Sequence, residues 1–158
     1  MRPTLNSLLV ACLITVSSLA GAADAADPLI GTWVMDPAKS TFKPGPGFKS
    51  QTRVFTSLPD GTQMTVTAVS ADGTALKGGG TYRLDGRDYP LTGVAGIESI
   101  TMVRQADLRV AGVAKAKGQQ MGRFNFTVSE DKRTMTFYFK GLDPNDQPFE
   151  NTMVFNRK

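Results

Sequence analysis

The 158-residue chain has no histidine, one cysteine and one tryptophan. Without imidazole, neither a Ser-His-Asp nor a Cys-His nucleophile can be assembled, and no His-based zinc site is possible. A lone cysteine, Cys12, gives no disulfide within one chain. Long hydrophobic runs are also scarce. The longest, Leu8 to Val16, falls short of the roughly 20 apolar residues of a membrane-spanning helix. Charge of one sign is not in great excess either, with 18 Lys plus Arg against 14 Asp plus Glu. At 41% hydrophobic and 20% charged, the composition is that of a folded domain rather than a disordered chain. The length fits one domain.

What is present begins with a leader pattern. Arg2 precedes the apolar run, and Ala20-Gly21-Ala22 and Ala23-Asp24-Ala25 follow as small-residue cleavage sites. The pattern predicts a secretory signal peptide over residues 1–25, cut near Ala22 or Ala25, and a domain over 26–158. Periplasmic or secreted localisation follows. Leu9-Val10-Ala11-Cys12 resembles a lipobox and carries the alternative of a lipoprotein. Cleavage removes Cys12, so the mature domain would have neither thiol nor imidazole chemistry.

Beyond the leader, alternating and β-branched runs recur between turn signals. Asp60-Gly61, Asp72-Gly73 and Asp85-Gly86 read as turns, and Ala106-Asp107 as the centre of a hairpin. Pro37-Ala38-Lys39-Ser40 has the composition of one helical turn. No longer window carries an apolar stripe at helical spacing. The spacing predicts an all-β fold of about 8–10 strands with little helix. Consecutive hairpins pair with their neighbours, and a long meander hides its edges by closing into an up-and-down antiparallel barrel.

Gly31-Thr32-Trp33 in the first run resembles the opening G-x-W of the calycin (lipocalin-like) superfamily. The wider string is similar to small exported bacterial lipocalin-like proteins: Asp36-Pro37-Ala38-Lys39-Ser40, Pro44-Gly45-Pro46, Asp85-Gly86-Arg87-Asp88-Tyr89-Pro90 and Asp131-Lys132-Arg133-Thr134-Met135-Thr136. The resemblance implies an antiparallel barrel and a late basic residue packed over the tryptophan, for which Arg157 is the match. Gly31, Trp33 and Arg157 would then form a structural latch, with a cation–π contact worth about 0.5–2 kcal/mol.

Alternation assigns an inward face. Its apolar members are Phe55, Met64, Val66, Met102, Val110, Phe124, Phe126, Phe137, Phe139, Met153 and Phe155. Rings and thioethers of this kind either fill a barrel or line an adaptable pocket. Arg53 and Arg104 share that parity, and Tyr82 and Tyr89 flank Asp85-Gly86 at one rim. An inward guanidinium needs a partner: Asp88, Glu98 or the carboxylate of a bound amphiphile. The bland alternative places both arginines at strand ends in solvent.

The sequence therefore suggests a barrel that binds a small hydrophobic or amphipathic molecule. A packed envelope-interaction module without a small ligand is the alternative. An enzyme without His or Cys, using Asp88 with Tyr89 or Glu98 with Arg104, is a third reading. No cofactor, metal site or nucleic-acid surface is expected, and a monomer is. Gly78-Gly79-Gly80 lacks the strand-turn-helix context of a phosphate loop and reads as a bulge or flexible strand. Asn125-Phe126-Thr127 fits a glycosylation pattern but lies mid-strand. Lys115, Lys117, Arg123, Lys132, Arg133 and Lys140 form a solvated basic face with weak attraction for anionic membrane surfaces.

Overall fold

The computed structural model describes residues 27–94, 96–143 and 145–158. The expected leader and Cys12 lie outside the described residues. Ten strands carry the chain: β1 (Gly31–Lys43), β2 (Phe48–Leu58), β3 (Gly61–Ser70), β4 (Ala75–Tyr82), β5 (Asp85–Pro90), β6 (Ser99–Ala106), β7 (Arg109–Ala116), β8 (Gln119–Val128), β9 (Thr134–Leu142) and β10 (Pro148–Arg157). Their order is β4-β3-β2-β1-β10-β9-β8-β7-β6-β5. Every ladder joins sequence neighbours except β1–β10, where Trp33 lies opposite Arg157 and brings the first and last strands together. The result is an up-and-down antiparallel barrel, nearly closed, with no helix among the described residues.

The period-2 alternation decides which residues go inside. In β8 and β9 it buries Phe124, Phe126, Val128, Met135, Phe137 and Phe139. Cross-strand register stacks these rings directly, with Phe124 opposite Phe139 and Phe126 opposite Phe137. One end of the barrel is sealed. There Leu29 and the wholly buried Trp33 belong to one buried cluster with Phe55, Tyr82 and Phe155, and Trp33 Nε1 donates to Leu29 O at 2.8 Å. The Arg157 guanidinium lies 4.1 Å from the Trp33 ring centroid. It donates to the carbonyls of Lys132, Ile30 and Pro28 at 2.7, 2.7 and 2.6 Å. A Cβ at Gly31 would meet Arg157 at 2.5 Å, so the bare backbone is what lets the guanidinium in.

Two local expectations are corrected. Pro37-Ala38-Lys39-Ser40 forms no helical turn; β1 runs through it with a bulge between the Asp36 and Thr41 pairings to β10. Ser40 Oγ donates to Asp36 O at 2.8 Å and accepts from Val154 N–H at 3.1 Å, which supplies the acceptor the bulged backbone no longer offers. Nor does Asp85-Gly86 turn a hairpin between β4 and β5. Both residues lie inside β5, where Gly86, at φ +77°, absorbs a register shift against β6.

Consequently β4 and β5 leave a seam. It is bridged at Gly79 and Thr92, whose backbone groups exchange hydrogen bonds of 2.8 and 3.0 Å. The glycine triplet explains the bridge: Cβ atoms on Gly78 and Gly80 would collide with the backbone of Pro90 to Gly93. Gly78-Gly79-Gly80 is thus a docking strip for the 90–93 segment.

Candidate binding cavity

Opposite the sealed end the barrel stays open. The strand ends at Lys43, Ser70, Pro90, Ala116 and Leu142 surround this mouth, and beneath it lies a cavity of about 400 Å³. That volume falls within the range of small-molecule sites. The walls are predominantly apolar, and they come from both parts of the molecule that the seam separates.

The expected site residues divide by height. Arg53, Met64, Val66, Met102, Phe124, Phe126, Phe137 and Phe139 line the cavity. Phe55 and Tyr82 do not; they are buried below it, with Phe55 edge-on to Phe126 at 5.6 Å between centroids. Burial also raises the Tyr82 phenol pKa well above its usual value. Tyr89 lies outside the cavity and donates its hydroxyl to Asp85 Oδ2 at 2.9 Å. Arg104 is at the sealed end, pairing with Asp27 at 2.5 Å and donating to Asp107 O at 3.0 Å. The arginines that looked alike therefore part company: Arg104 closes the base, and Arg53 faces the cavity.

Arg53 projects from the middle of β2 and is only 7% exposed. Its guanidinium crosses the barrel to lie 4.0 Å from the Phe137 ring centroid, with Phe126 and Phe155 at 5.3 and 5.4 Å. It forms the floor between packed core and open cavity. Burial pushes its pKa down to about 9, which leaves it cationic at neutral pH. Neither carboxylate expected as its partner reaches it. Asp88 instead takes Lys115 Nζ at 2.8 Å, and Glu98 accepts the Lys117 N–H at 2.7 Å. The proton-transfer pairs Asp88–Tyr89 and Glu98–Arg104 are likewise not assembled.

The acceptor that Arg53 does have is Gln51 Oε1, 2.7 Å from Nε. Gln51 is itself buried and lines the cavity. Among the described residues no enclosed side-chain nitrogen or oxygen lacks a partner. The terminal guanidinium nitrogens have no acceptor among the described residues and therefore reach the cavity space. Because Nε–H can donate only to the amide oxygen, the Gln51 –NH₂ is the group left for the cavity.

Several lining residues were not singled out in the sequence. Gln51 and Asn151 share strand parity with Arg53 and Met153, so alternation carried that signal. Leu91, Val94 and Ile97 also line the mouth, but they sit in irregular backbone, where no period marks an inward face. Among the described residues no three acidic or thiol side chains gather as a metal site. No protein-family model matches the chain, and no curated protein matches it.

Proposed function

We propose that this chain is an exported, lipocalin-like barrel that holds a small hydrophobic or amphipathic molecule in the cavity above Arg53. The observation that carries the reading is the unfilled upper half. Six phenylalanines line it and still leave about 400 Å³ open at one end, whereas a well-packed interior leaves few voids larger than a water. A packed barrel docking only through its loops would need those rings to close the space.

Native mass spectrometry of protein gently purified from its own compartment tests the proposal. The expected result is an adduct of a small amphiphile that organic extraction releases. Ala68, buried on the cavity wall, supplies the control. Ala68→Phe adds a ring to the open space and should lower ligand occupancy at least tenfold with an unfolding midpoint close to that of the parent. Consistently empty parent protein, or an adduct that Ala68→Phe retains, would overturn the assignment.

A further inference from the structure

The chemistry of the cavity floor specifies more than an apolar guest. Arg53 and Gln51 present hydrogen-bond donors there: the terminal guanidinium N–H groups and one amide –NH₂, with the amide oxygen already taken by Nε. Arg53 makes no ion pair among the described residues. A desolvated cation without a counter-ion is costly, and its contacts with the phenylalanine rings offset only part of that cost. Lys77 and Asp143 also line the cavity, with opposite charges, so the donor floor keeps the one positive charge of Arg53 and fits a group that only accepts hydrogen bonds and carries one negative charge.

We infer that the ligand is a monocarboxylic amphiphile bound head first, its carboxylate on Arg53 and Gln51 and its tail rising between the phenylalanines toward the mouth. This rests on the binding function proposed above. A carboxylate matches the planar guanidinium edge in bidentate geometry, whereas an alcohol brings one oxygen and an unneeded proton. Arg53 lies five positions along β2 from Phe48 at the mouth. At about 3.4 Å per residue that is roughly 17 Å along the strand, and strand tilt in a barrel shortens the axial depth. A medium-length alkyl chain spans such a depth.

Isothermal titration of the purified protein with dodecanoate, dodecanol and dodecyltrimethylammonium, each below its micellar concentration, separates the possibilities. At neutral pH dodecanoate should bind about tenfold or more tightly than dodecanol, the order expected of one charge-assisted pair, and the cation weakest. The advantage should vanish in Arg53→Met while dodecanol binding persists. It should also fade as pH falls through the carboxylic acid range, near 4–5. Equal binding of acid and alcohol by the parent protein would overturn the head-group assignment and leave the cavity's binding function standing. Binding of none of the three would remove both. The comparison within the parent protein needs no substitution, so a poorly folding variant cannot obscure it.

Discussion

Two arginines of this barrel lie over aromatic rings at nearly the same distance, and they do opposite things. Arg157 sits 4.1 Å from the Trp33 centroid and Arg53 sits 4.0 Å from that of Phe137. At the sealed end, Arg157 spends its donors on three backbone carbonyls from two separate segments. At mid-height, Arg53 has one amide acceptor and open space. A cation over a ring is therefore not diagnostic of role. What distinguishes a latch from a candidate binding group is whether its hydrogen bonds are already spent within the protein.

The largest effect should come from the latch. Trp33→Ala removes the wholly buried indole and its bond to Leu29, with an expected loss of about 3–5 kcal/mol. Urea unfolding followed by circular dichroism measures it. A stable variant that has lost ligand binding would break the division between sealed and open halves.

The sharpest comparison uses one substitution at both arginines. Arg157→Met strips three carbonyls of their charged donor and should cost about 2–3 kcal/mol. Arg53→Met removes a buried charge that has no counter-ion among the described residues. It should stabilise the ligand-free protein by about 1 kcal/mol, the gain from lost desolvation exceeding the lost ring contact. Opposite shifts in the thermal midpoint are the expected outcome. A matching loss at both positions would mean that Arg53 is a structural brace like Arg157.

The smallest effects compare turns at the two ends. Ser70 and Asp72 close the β3–β4 turn at the mouth, and Ser129 with Asp131 repeats the arrangement at the sealed end. Each carboxyl is held below 3.8, foremost by its serine hydroxyl. A carboxyl whose pKa is lowered by folding contributes stability above its unfolded pKa and loses it as pH falls. Stability should accordingly decline slightly below about pH 4, and Asp72→Asn and Asp131→Asn should each flatten that decline. Asp131→Asn should have the larger effect, because neighbouring Lys132 supplies a carbonyl to Arg157. Unfolding midpoints across the acid range check both.

Legibility followed the local periods. Alternation correctly turned Phe124, Phe126, Phe137, Phe139, Met102 and Met153 inward, because strand geometry fixes facing one residue at a time. It could not rank them by height. Arg53 and Arg104 have the same parity, yet Arg104 lies opposite Val110 near the sealed end and Arg53 opposite Val66 on the cavity wall. The glycine triplet shows the same limit. Its bareness is visible in the sequence, but the Pro90 to Gly93 backbone it receives comes from another part of the chain.

By itself, the sequence determined the all-β class, the inward face of β2, β3 and β6 to β10 and the lack of imidazole, since these depend on composition and on a two-residue period. Tertiary structure alone decided that β4 and β5 stay apart, that one end seals while the other remains open, and that Arg53 rather than Arg104 meets the open space. Those outcomes depend on the β1–β10 pairing and on the register of successive ladders. Such pairings are non-local, and height along a barrel axis accumulates from all of them.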